Sequence, residues 1–148
     1  MTSLPEKHGS AKHPERAVAK QRPEGMSDAT VAALGKLSEA LEVVENARGL
    51  LYQFHRMSGT ADLTLQEAVD QLRADGQTEL AAEIEECLIG RDVIPGHWTF
   101  QIVEAYDSHY WQVFRDVERE ARRRLGDVPD HLFEAEMKHA EQHRSPGS

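Results

Sequence analysis

The chain has one cysteine, Cys87, in 148 residues, so it can close no intramolecular disulfide and build no multi-cysteine zinc site. It lacks any apolar run near the ~20 residues needed to span a bilayer, and Met1 to Ser10 has no apolar stretch of the secretory kind. The reading is a protein without membrane contact, expected in the cytoplasm. Basic side chains are the minority, 17 against 26 acidic ones for a formal net charge of −9. That balance offers no general electrostatic grip on nucleic acid or anionic lipid. A Gly-rich phosphate loop, a Gly-x-Ser-x-Gly elbow and a Cys-x-x-Cys pair are also missing. No catalytic residue and no cofactor is therefore expected, and no segment reads as a strand.

What the chain has is helical periodicity between two polar ends. Residues 1–27 carry Pro5, Pro14, Pro23, Gly9 and Gly25 with almost no large apolar side chains, which predicts a disordered, mildly basic arm. Residues 145–148 read as a disordered tail. Between them, residues 28–144 predict an all-α domain, an antiparallel bundle of four helices with an additional C-terminal helix. Ser27 or Asp28 is a fitting N-cap for a first helix over 28–57, stopped by Ser58 and Gly59. Thr64 and Glu67 match a capping box for a second helix over 64–75, ended by Gly76. A third helix over 77–89 places Leu80, Ile84, Cys87 and Leu88 toward the core, which makes Cys87 a buried structural residue. A fourth spans 98–125 and a last amphipathic one 129–143. Gly35 and Gly49 weaken the first helix by about 1 kcal/mol each relative to alanine, so packing must hold it, through close approach of a neighbour at the glycines.

The first and fourth helices carry seams at alternating three- and four-residue spacing. One runs through Leu34, Leu37, Leu41, Val44 and Leu51, and the other through Phe100, Val103, Tyr110, Phe114, Val117 and Ala121. Charge interrupts both, since Arg48 and His55 fall on the first seam and Asp107 on the second. Antiparallel pairing with His55 level with Phe100 brings Arg48 level with Asp107, because seven residues separate each pair along its own helix. A charge on a buried line needs a partner. Arg48 and Asp107 are thus expected to pair, with Glu45, Tyr52 or Glu104 taking the remaining guanidinium donors. The same layer, Glu45, Arg48, Tyr52, His55, Glu104, Asp107 and Tyr110, is the candidate site: a register-fixing ion pair, or a polar pocket for a ligand.

Other chemistry is weaker. Ferritin-like di-iron bundles need two Glu-x-x-His motifs, and the one here, Glu136-Met-Lys-His139, stands in the polar last segment. His139 and His143 could chelate a cation on one helical face, but charged neighbours favour a solvated surface, so no metal is expected. Arg119, Arg122, Arg123 and Arg124 interleave with Asp116, Glu118 and Glu120 without aromatic company, which does not favour nucleic acid. Trp98, Trp111, Tyr52 and Tyr106 cannot all occupy one narrow seam, so some are available for an interface. The expected function is a non-enzymatic helical interaction protein that self-associates or binds a protein partner. The alternative is a small-molecule or metal-binding bundle, conceivably an enzyme, with its polar site between the first and fourth helices.

The stretch from Gly90 to Asp107, GRDVIPGHWTFQIVEAYD, resembles the signature of an uncharacterised family of small actinobacterial α-helical proteins. The resemblance extends to Val44-Glu45-Asn46-Ala47-Arg48-Gly49 and to Glu134-Ala135-Glu136-Met137-Lys138, most of the expected folded region. It implies a helical fold and carries no activity or site residues.

Overall fold

The computed structural model describes residues 20–144, so the expected arm up to residue 19 and the tail 145–148 lie outside the described residues. Every element in it is helical: α1 (Asp28–Ala74), α2 (Thr78–Leu88), α3 (Thr99–Tyr106), a π turn (Asp107–Trp111), α4 (Gln112–Arg124) and α5 (Leu132–Gln142). Since α3, the π turn and α4 follow without a break, they form one helix, and the described residues hold four helices in all. No helix among them is long and apolar enough to cross a membrane.

The expected boundary between a first and a second helix is wrong: α1 continues for 47 residues. Ser58 and Gly59 lower helix propensity by only about 1 kcal/mol at most each, too little to end a helix whose later turns are needed for packing. Val69, 1% exposed, lies beyond the expected break. Thr64 therefore caps nothing, and its hydroxyl donates to the Thr60 carbonyl one turn earlier at 2.9 Å. The expected ends hold where backbone chemistry dictates them. The Ser27 hydroxyl accepts the Thr30 N–H at 3.1 Å as the N-cap of α1. Gly76, with φ +83°, closes α1 in a left-handed turn in which the Gln77 N–H reaches the Leu72 carbonyl at 2.9 Å.

The described residues divide into two compact units, 36–121 and a second that joins 20–35 with 122–144. In the first unit, α1 runs antiparallel to α2 and to the α3–α4 helix. Asp62 accepts the Gly90 N–H at 3.1 Å and Arg73 pairs with Glu85 at 2.7 Å, fixing α2 along the later turns of α1. Only the Ala81 side of α2 is buried, and Cys87, expected in the core, is exposed. The 11-residue α2 buries one narrow face, and that face runs through Ala81 and Ile84 rather than Cys87. Pro95 and Gly96, the latter at φ +76°, then turn the chain toward α3, with the His97 N–H on the Ile94 carbonyl at 2.8 Å.

In the second unit Val31, Val128 and Leu132 form a small core flanked by Met26 and Leu34. Part of the expected arm belongs to it. Arg22 grips Glu136 with Nε and Nη2 at 2.9 and 2.8 Å and reaches Asp28 with Nη1 at 2.6 Å. Arg122 pairs with Asp130, and Lys20 donates to the Asp130 carbonyl. Gly35 is small for a reason, because a Cβ there would lie 2.9 Å from Cγ of Phe133. Gly49 has open space around it, so the expected close approach occurs at only one of the two glycines.

Candidate functional site

Arg48 and Asp107 meet within the first unit. The Arg48 Nε donates to Asp107 Oδ1 at 2.7 Å and Nη2 to Oδ2 at 3.0 Å, a two-pronged pair whose side chains are 29 and 28% exposed. The hydrogen bonds to that carboxylate raise the arginine's proton affinity against the desolvation that lowers it, and Glu45 adds to the rise. Among the described residues, Glu45, Tyr52 and Glu104 make no hydrogen bond to the guanidinium. The expectation that they complete its shell fails, because all three are exposed on one flank of the helix pair. The sequence reading missed Trp111, whose ring lies 4.1 Å below the Arg48 guanidinium and 4.7 Å from that of Arg115. Trp111 Nε1 is buried without an acceptor among the described residues.

One layer along, His55 Nδ1 shares a hydrogen with the Thr99 hydroxyl at 2.7 Å, and its ring stands between Tyr52 and Phe100 at 5.9 and 5.6 Å. Tyr106, Tyr110 and Phe114 follow as a ladder of tilted rings on the other helix. Burial, and then the nearby Tyr110, Asp107 and Glu45, raise the Tyr106 hydroxyl above the ordinary tyrosine range. A phenol whose folded pKa is raised stabilises the fold fully below the unfolded pKa of about 10 and loses that contribution as pH rises further. Tyr106→Phe is expected to remove the highest-pH limb of the phenolate absorbance titration and to resist alkaline unfolding better than the parent. Identical alkaline limbs in the two proteins would contradict a desolvated Tyr106.

The second seam is displaced from its expected course. The inward positions are Thr99, Val103, Asp107, Trp111, Phe114 and Glu118, whereas Phe100, Tyr110 and Val117 are exposed. The π turn widens the helix at Asp107–Trp111, so the steps after Asp107 run four, three, four instead of three, four, three: Trp111 replaces Tyr110 and Glu118 replaces Val117, while Phe114 keeps its place, and ahead of the turn Thr99 stands in for Phe100. Glu118 arrives on the inner line, 5% exposed, where it accepts the Ser38 hydroxyl at 3.1 Å.

Each helix of the pair also carries an apolar line beside its inner seam. On α1, Ala40, Val43, Ala47, Leu50, Phe54, Met57 and Ala61 repeat at three and four residues, each one position before an inward residue. On the opposing helix Trp98, Ile102, Tyr106, Tyr110, Val113 and Val117 do the same. Ser38 with Glu118, Arg48 with Asp107 and His55 with Thr99 show that the two helices are antiparallel. Reversing a helix reverses its sense of rotation seen from one end, so the residue before each seam position points to the same side from both helices. The two lines therefore share one flank. Val43, Leu50, Phe54, Met57, Trp98, Tyr110, Val113 and Val117 leave 43 to 68% of their surface accessible on it. A groove of about 510 Å³ runs along its α1 half, lined by Leu50, Gln53, Phe54, Met57, Ser58 and Ala61. The residues after each seam position make the opposite flank, where the charged Glu45, Arg56, Glu104, Arg115 and Arg119 stand with two exposed aromatics, Tyr52 and Phe100. Compared with family models, with curated proteins and with solved structures, the chain finds no match.

Proposed function

We propose that this chain is a non-enzymatic helical interaction protein that works through the apolar flank of the α1 and α3–α4 pair. The observation that carries the reading is the asymmetry of that pair. Within residues 36–121 only Val44, Val69, Ala81 and Val103 are buried hydrophobics, while twice as many large ones stand exposed along a single flank. Water-exposed apolar surface in one contiguous patch beyond roughly 300–600 Å² is uncommon unless something covers it. The polar layer supports the same reading from the other side. Asp107 has both oxygens on Arg48, and His55 Nδ1 is taken by Thr99. These groups are occupied with one another, which weighs against a small-molecule or metal site at that layer.

The reading is tested by placing a photo-crosslinking residue at Met57, on the apolar flank, and separately at Arg56, on the polar one, in the host cell. Protein adducts at 57 with few at 56 are expected. Equal yields at both positions, or none at 57, would defeat the proposal.

A further inference from the structure

We infer that the occupant of the apolar flank is a second copy of this chain, stacked on the first about a two-fold axis that runs across the helices, so that the two α1 helices lie antiparallel. This rests on the interaction reading above and names its partner. A helix pair that has one inner seam and one outer apolar flank is half of a four-helix bundle. An identical pair supplies the missing half with the same width and the same spacing. Eight exposed side chains of roughly 150–250 Å², each leaving about half its surface or more accessible, offer on the order of 900 Å², against the ~800 Å² per partner of a standard stable interface.

The choice of copy and of orientation comes from how side-chain size is graded along the flank. The end of α1 near Ala40 and Val43 is small, and the end near Phe54 and Met57 is large. A two-fold axis level with residues 48 and 49 sets Ala47 opposite the partner's Leu50, Val43 opposite the partner's Phe54 and Ala40 opposite the partner's Met57. The same axis brings Val117 level with the partner's Trp98. Along α1 every layer then meets a small residue with a large one, as interdigitated cores require, while on the other helix Val113 meets the partner's Ile102 and Tyr110 comes level with the partner's Tyr106. A parallel stacking would instead set Met57 against the large end of its copy and Ala40 against the small end, crowding one end and leaving the other hollow. No charged side chain stands on either line of the flank, so the dimer buries no charge along it.

Sedimentation equilibrium on the full chain at micromolar concentration is expected to give twice the mass of 16.7 kDa. Leu50→Glu places two carboxylates beside the axis and should weaken association roughly a hundredfold or more, while Arg56→Glu on the polar flank leaves it unchanged. Nitroxides at Thr60→Cys in a Cys87→Ser background need no destabilised variant, and in the antiparallel dimer they lie about 35 Å apart along the axis. Label distances under about 20 Å, which two helices packed in parallel would give, overturn the proposal, as does a dimer that Leu50→Glu leaves intact. A monomer also overturns it, and hydrogen exchange then separates the two readings. Fast exchange and hydrophobic-dye binding over residues 43–57 would leave an interaction surface in need of a different partner. Protection there in a monomer would remove the interaction reading as well.

Discussion

Replacing Asp107 with alanine is expected to lower the unfolding free energy by about 2–3 kcal/mol, measured by urea titration at one fixed protein concentration. The figure sits below the 3–5 kcal/mol typical of a fully buried broken pair, because both side chains keep more than a quarter of their surface in water. It sits well above the ~1 kcal/mol ceiling of an exposed pair, because both prongs of the guanidinium are engaged and the Trp111 ring covers one of its faces. Arg48→Met should cost less, since the carboxylate left behind can draw in water while the methionine keeps contact with the ring. The double variant Arg48→Met with Asp107→Leu should recover about half of the Asp107→Ala loss or more, as apolar replacement of such pairs does, and the cycle should return a coupling of about 1.5–3 kcal/mol. Single variants near neutral in stability, with partner binding lost, would assign the pair to a functional surface instead of to the fold.

The charge pattern alone makes this pair legible in the sequence. Two lone charges on otherwise apolar seams, each seven residues from an aromatic or histidine on its own helix, admit few registers, and only one of them joins cation to anion. Ser27 and Gly76 were legible for a similar reason. A capping hydroxyl or a left-handed φ is a local demand that few residues meet, and Gly76 does have a positive φ, at +83°. Ser58 and Gly59 misled because they act only on local propensity. A few tenths of a kcal/mol to about 1 kcal/mol per residue cannot stop a helix that gains the burial of Val69 by continuing.

The π turn was illegible because its cause is not local. Five residues of ordinary helical composition, Asp-Ser-His-Tyr-Trp, widen the helix at the point where Asp107 must face Arg48 and Trp111 must lie under it. A strict three-four rhythm sets Tyr110 inward, and the widened turn sets Trp111 there in its place. From that one-residue slip follow both features on which function is argued. Tyr110 and Val117 leave the inner line and join Val113 on the outer flank, and Glu118 takes the buried place that the three-four spacing had given to Val117. Cys87 failed in the same way, since the phase of a short helix is set by the neighbour it touches.

Gly35→Ala and Gly49→Ala are expected to change stability in opposite directions, although both replace a glycine inside α1. In a free helix each would gain about 1 kcal/mol from helix propensity. Gly49 has nothing within 4 Å of a new Cβ, so Gly49→Ala should realise that gain. At Gly35 the new Cβ would come within 2.9 Å of Phe133 Cγ and 3.1 Å of Phe133 Cβ. These are the near atoms of the side chain, fixed to the backbone of α5, and a rotation of the ring does not clear them. The helix must shift, and overpacking of this kind costs about 1–3 kcal/mol, enough to cancel the gain or reverse it by up to about 2 kcal/mol. Phe133→Ala in the Gly35→Ala background should remove the conflict and restore part of the lost stability. Thermal and urea melts of the four proteins, followed by helical circular dichroism, give the comparison. If Gly35→Ala stabilises as much as Gly49→Ala, then α5 does not rest on α1 through Phe133, and the small core of Val31, Val128 and Leu132 stands without that support.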